Sequence, residues 1–169
     1  MSVIIHNVKQ GTPEWLALRE GRYTGSNADK LLRFGKIPYS QNSDSGWGGN
    51  EYTRRGHTLE DEAIELYERI TGHKISRPGF VTNTKYPDCG YSPDGLDEID
   101  MVLVEVKAFN GDRHEAVKKY QEFKIVAQIE YGKFLLEIKK GVLLLYNPDL
   151  GIESALIVID MPFRRAVRD

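Results

Sequence analysis

Sulfur, long apolar runs and internal repetition are what this sequence has least of. Cys89 is the only cysteine in 169 residues. An internal disulfide is therefore excluded, as is any zinc or iron–sulfur centre built from clustered cysteines. No apolar run approaches the roughly 18 residues needed to span a membrane; the longest, around Val142 to Tyr146, has the length of a strand. The opening residues, Met1-Ser2-Val3-Ile4-Ile5-His6, lack a charged segment followed by a long apolar one, so no signal peptide is expected and the reading is cytoplasmic. There is no low-complexity segment. Charge of one sign is also scarce: the formal net charge is −2. Nucleic-acid binders are commonly basic overall. Any such role would have to rest on local groups such as Arg54-Arg55, Lys118-Lys119, Lys139-Lys140 and Arg164-Arg165.

What is present suits a globular protein. The chain is 40% hydrophobic and 28% charged, and its length fits a single domain over residues 1–169 with one sizeable core. Thr12-Pro13-Glu14-Trp15 reads as a helix start, with Thr as N-cap and Pro at the first helical position, running to about Glu20. Ser26 is expected to cap a second short helix through Leu31-Leu32. Residues 35–51 are rich in Gly, Ser and Asn and read as a flexible loop carrying Trp47. Leu59, Ala63, Leu66, Tyr67 and Ile70 mark a helix over Gly56 to Gly72. Strands are expected at Gly79 to Thr82, Cys89 to Ser92 and Met101 to Phe109. One long helix follows from Arg113 to Lys140, then strands at Val142 to Tyr146 and Ser154 to Ile159 around an Asn147-Pro148-Asp149 turn. This order predicts an α/β fold, a mixed central sheet flanked by helices.

Chemistry concentrates in two short pieces, Tyr91-Ser92-Pro93-Asp94-Gly95-Leu96 and Leu103-Val104-Glu105-Val106-Lys107. Strand alternation sends Glu105 and Lys107 to one face and Val104 and Val106 to the other. Asp94 precedes them by a hairpin-length connection, so strand pairing would set it beside Glu105. Two converging carboxylates raise each other's pKa unless a cation joins them. A hard divalent ion such as Mg2+ accepts this donor set, and phosphodiester hydrolysis uses such an ion. By pattern alone, an ordinary surface salt bridge explains Asp…Glu-x-Lys equally well. His6, His57, His73 and His114 have no ligand spacing and read as structural or exposed.

With these motifs the sequence resembles the PD-(D/E)XK nuclease superfamily, and within it the phage lambda exonuclease and YqaJ-type viral recombinase group. Ser92-Pro93-Asp94-Gly95 and Glu105-Val106-Lys107 carry the resemblance, together with Trp15…Arg19…Ser26, with Gly56…Glu60…Tyr67…Thr71-Gly72, and with Gln128. It spans roughly residues 11 to 148, and the segment between Ser26 and Glu60 is compressed. The resemblance implies a restriction-endonuclease-like core. It also implies Mg2+ or Mn2+ held by Asp94, Glu105, the Val106 backbone carbonyl and, directly or through water, Glu60. Lys107 would position or activate the water, and Gln128 would hold water or phosphate. Arg19 and Ser26 would bind a 5′-terminal DNA phosphate. The implied activity is 5′-end-directed exonuclease action on DNA in phage recombination, in the host cytoplasm, with an annealing or recombination protein as partner and a homo-oligomeric assembly. An endonuclease or nickase on the same core and a non-catalytic DNA-binding module are the alternatives.

Overall fold

The computed structural model describes residues 2–28, 51–120, 123–151 and 154–161, apart from the side chains of 27, 51–57 and 123. Four helices occur among them: α1 (Pro13–Arg19), α2 (Glu51–Thr71), α3 (Arg113–Tyr120) and α4 (Phe123–Leu136). Seven strands accompany them: β1 (Val3–His6), β2 (Phe80–Asn83), β3 (Tyr86–Tyr91), β4 (Gly95–Asp97), β5 (Val102–Ala108), β6 (Lys140–Tyr146) and β7 (Leu156–Asp160). Apart from Glu51, the expected loop at 35–51 with its Trp47, the helix end at Leu31-Leu32 and Arg164-Arg165 lie outside the described residues; Glu51 is helical instead, so α2 opens there rather than at the expected Gly56.

The strands form two sheets. Antiparallel β1-β2-β3 makes one, and β4-β5-β6-β7 makes the other. The second sheet is mixed: β5 and β6 run parallel, and the outer pairs are antiparallel. The parallel pair requires a crossover, which α3 and α4 supply. The mixed sheet flanked by helices agrees with expectation; its division from a second, three-stranded sheet does not follow from the sequence pattern.

Period-two alternation in β5 sorts two apolar layers. Val102, Val104 and Val106 pack with Val142 and Leu144 under Ala63, Ile64 and Tyr67 of α2. Leu103 packs with Leu143, Leu145, Tyr91 and the α4 residues Ala127, Ile129, Tyr131 and Leu135. Helices thus cover both faces of β5 and β6, whose residues are buried almost throughout.

The helix ends explain where expectation and structure differ. Thr12 caps α1 as predicted, accepting from Trp15 N at 3.4 Å. Gly72, at φ 72°, ends α2, and its N–H donates to Glu68 O at 2.8 Å. The single helix expected over Arg113 to Lys140 is instead α3 and α4. The latter stops at Leu136 because Glu137 takes φ 57°, its N–H reaching Phe134 O at 3.2 Å while Ile138 N–H reaches Lys133 O at 3.0 Å. That is a Schellman closure on a residue other than glycine. Around Ser26 the structure has a 3-10 turn, Gly25–Asn27, entered from Thr24 without a side-chain cap. Ser26 lies inside this turn rather than at its N-cap, and its hydroxyl pairs with Thr24 Oγ1 at 3.2 Å. Among the described residues no helix is long and apolar enough to cross a membrane.

Candidate active site

β4 and β5 bring the two motifs together. Gly95 pairs with Val104, so Asp94 sits one step beyond the short strand, level with Glu105. Its carboxylate takes over the ladder: Asp94 Oδ2 accepts the Val106 backbone N–H at 2.8 Å. Gly95 is required by packing, since a Cβ there would lie 2.6 Å from Ile75 Cγ2.

Glu105 is 2% exposed. Its carboxylate accepts from two neutral donors, the Tyr91 hydroxyl at 2.6 Å to Oε2 and Gln128 Nε2 at 3.1 Å to Oε1. Lys107 follows on the same face, its Nζ 3.7 Å from Glu105 Oε1. That separation is an ion pair rather than a good hydrogen bond. A surface salt bridge is not what this is, because the acid is inside the protein.

Glu60, from α2, completes an acidic group. Burial raises Glu105 to about 8, with repulsion from Asp94 next. Burial raises Asp94 to about 7, with repulsion from Glu60 next and with the Val106 N–H and Lys107 opposing. Glu60 is likewise raised to about 7, by burial and then by Glu105. Repulsion thus runs from Asp94 to Glu105, from Glu60 to Asp94 and from Glu105 to Glu60, and a bound cation would relieve it. Burial works to lower Lys107, yet attraction from Glu105 and then Asp94 wins and its pKa is raised.

Glu60 and Asp94 open onto a groove of about 700 Å³, also lined by Lys9, Gln10, Arg77 and Pro93. Gln10 Nε2 donates to Pro93 O at 3.3 Å, which ties the loop carrying Lys9 to the Asp94 turn. Arg77 pairs with Asp61 at the rim.

The remaining expected residues flank this centre. Arg19 lies over the Trp15 ring, 4.5 Å from its centroid, with Nη1 3.5 Å from Ser92 Oγ, two residues before Asp94. Trp15 is the buried anchor expected of it; its Nε1 donates to Gly79 O at 3.1 Å and Ser92 Oγ at 3.0 Å. The Ser26 turn backs onto the centre through Gly25, where a Cβ would lie 3.4 Å from Gln128 Cγ. Ser26 itself is exposed. Sequence reasoning placed Tyr91 in the motif but gave it no role, and missed Lys9 as part of the groove. Tyr91 adjoins the Ser92-Pro93-Asp94 turn, the one signal available for it; for Lys9 there was none.

A second acidic grouping lies elsewhere. His73 Nδ1 is 2.7 Å from Asp97 Oδ2 and 3.7 Å from Asp100 Oδ2, and the three ligand atoms lie within 4.8 Å of one another. Asp97 Oδ1 also accepts the N–H groups of Ile99 and Asp100. The hydrogen bond to Asp97 raises the imidazole's pKa. The group joins the end of α2 to β4, and its three ligand atoms are also close enough together to hold a cation.

A family model described as the YqaJ-like viral recombinase domain matches residues 14–139. The chain is similar in structure to an alkaline exonuclease (LHK-Exo) from Laribacter hongkongensis. The TM-score is 0.73 at 23% identity, over 93% of this chain and 85% of that one. A second structure, LHK-Exo in complex with dAMP, gives 0.73 at 22% identity over the same shares. A phage related exonuclease from Haemophilus somnus 129PT gives 0.51 at 14% identity, over 95% and 82%. No curated protein matches the sequence significantly. These likenesses establish the fold as the restriction-endonuclease-like arrangement expected from the sequence.

Proposed function

The chain belongs to the YqaJ-like viral recombinase family of the PD-(D/E)XK superfamily, and from that premise we propose that it is a divalent-metal-dependent deoxyribonuclease acting from DNA ends. The observation that carries this reading is the placement of Asp94 beside Glu105 across the β4–β5 pair, with Lys107 on the same face and Glu60 opening onto the same groove as Asp94.

The donor set fits a hard cation. Asp94, Glu105 and the Val106 carbonyl would hold Mg2+ or Mn2+, with Glu60 direct or through water. When bound, the ion supplies charge neutralisation at the phosphate and a more acidic water. Lys107, drawn to Glu105 and Asp94, positions or activates the attacking water and balances negative charge. Gln128 holds Glu105 and offers its amide to the water or phosphate. Arg19, steered by Trp15 and Ser92, and Ser26 on its turn anchor a terminal 5′-phosphate. The groove carrying Lys9 takes the strand beyond the reacting phosphate. DNA is the substrate, and a single-strand annealing protein is the recombination partner to test.

The deciding experiment offers linear duplex with and without 5′-phosphate, covalently closed circles and single strands, to wild type and Asp94→Asn in Mg2+. Expected is digestion of linear DNA that requires Mg2+ and Asp94 and is favoured by the 5′-phosphate. Equal attack on closed circles would remove the end-directed reading. Cutting that survives Asp94→Asn would remove the proposed centre.

The groove has its own test. Lys9→Gln is expected to lower the dependence of log affinity on log salt by about one phosphate contact. Fluorescence anisotropy across a salt series measures it; an unchanged slope would place the strand elsewhere.

A further inference from the structure

Tyr91 ends β3 and enters the Ser92-Pro93-Asp94 turn. It is 1% exposed, with its ring in a slot between two glycines from distant parts of the chain. A Cβ on Gly25 would lie 2.4 Å from Cε2, and one on Gly132, in α4, 2.7 Å from Cε1. Real Cβ atoms do not approach so closely, so both positions are left bare where the ring passes. At the end of that slot the hydroxyl donates to Glu105 Oε2 at 2.6 Å, while Gln128 donates to Oε1 at 3.1 Å.

A glutamate side chain has three rotatable bonds, and ordering it costs entropy. Here both oxygens are fixed by neutral donors, so the carboxylate plane is set without spending its charge. Lys107, 3.7 Å away, is too distant to do this by hydrogen bonding.

We infer that Tyr91 is a positioning residue: its hydroxyl, with Gln128, presets the Glu105 carboxylate for a divalent cation, and its ring couples that carboxylate to the turn bearing Ser26. The inference rests on the metal-dependent reading proposed above. Partners that orient metal ligands typically contribute about 10–100-fold in metal affinity.

The test is Mn2+ titration of the DNA-free protein by calorimetry, for wild type, Tyr91→Phe, Gly25→Ala, Tyr131→Phe and Asp94→Asn. Tyr91→Phe deletes one oxygen and keeps the ring in its slot. Its Mn2+ Kd is expected to rise about 10–100-fold. Excess Mn2+ should restore cleavage, and KM for DNA at saturating metal should not move. Gly25→Ala, which displaces the ring with its hydroxyl intact, should weaken Mn2+ binding in the same direction. Tyr131→Phe is the control for losing a buried hydroxyl, since that group donates to Tyr23 O at 2.7 Å and not to a carboxylate; its Mn2+ affinity should match wild type.

Wild-type Mn2+ affinity in Tyr91→Phe would overturn the inference, and so would an equal loss in Tyr131→Phe. Binding abolished by Asp94→Asn but untouched by Tyr91→Phe removes the role of Tyr91 and leaves the metal centre standing. Absence of Mn2+ binding in wild type removes both.

Discussion

Lys107→Ala is expected to slow DNA cleavage by about 10²–10³-fold, the range seen when one preorganised donor to developing charge is lost, while changing Mn2+ affinity far less. The ammonium sits on the same face of β5 as Glu105 and is held charged by Glu105 and Asp94. An ammonium in that place stabilises developing charge and orients water. Single-turnover rates at saturating metal, beside calorimetric metal binding, separate the two effects. Lys107→Arg preserves the charge but not its compact shape, and should recover only part of the rate. Wild-type turnover in Lys107→Ala would overturn the role assigned to this residue.

The second large effect is an exchange of protons for metal. Glu60, Asp94 and Glu105 have folded-state pKa values of about 7, 7 and 8, above their ordinary carboxylate values. The native state therefore binds more protons than the unfolded chain between those limits, and stability falls as pH rises. Their contribution is fully present below the ordinary carboxylate range and is lost as pH climbs through 7 to 8. His73, raised by Asp97, acts in the same direction. The metal-free protein is thus expected to have its highest Tm under mildly acidic conditions and a lower one at pH 8. Mg2+ should reverse this selectively, because ionised carboxylates bind it and protonated ones do not. The rise in Tm with 10-fold steps of Mg2+ should grow from pH 6 to pH 8, and Glu105→Gln should flatten that growth. A Mg2+ effect independent of pH would mean that the cation binds elsewhere.

The centre was legible because strand alternation is rigid. Glu-x-Lys in an apolar strand places both side chains on one face whatever the surrounding fold, and the Pro-Asp-Gly turn sets Asp94 at the strand's edge. Helix ends signalled by Thr12-Pro13 and Gly72 were equally readable. The stop at Glu137 was not, since a non-glycine residue adopts the left-handed conformation there and Ile138 continues the apolar spacing beyond the true end. Strand β1 escaped notice because Val3–His6 is short, and Ile4 and Ile5 are both partly exposed rather than alternating. Burial was the other hidden quantity. The Asp…Glu-x-Lys pattern does not distinguish a solvated salt bridge from a desolvated acidic cluster. Only the packing of Tyr91, Gln128 and α2 around Glu105 decides between them.

Asp94 holds the Val106 N–H as well as facing the groove, so its carboxylate serves the architecture and the chemistry at once. An alanine there deletes both, and stranding a buried amide costs about 1–3 kcal/mol. Loss of activity in such a variant would mix a missing ligand with a loosened strand edge. Asparagine retains a side-chain carbonyl to receive that amide while removing the charge. It is consequently the substitution suited to an inert, intact protein for capturing a DNA complex, in which the strand's path can be seen before any bond is broken.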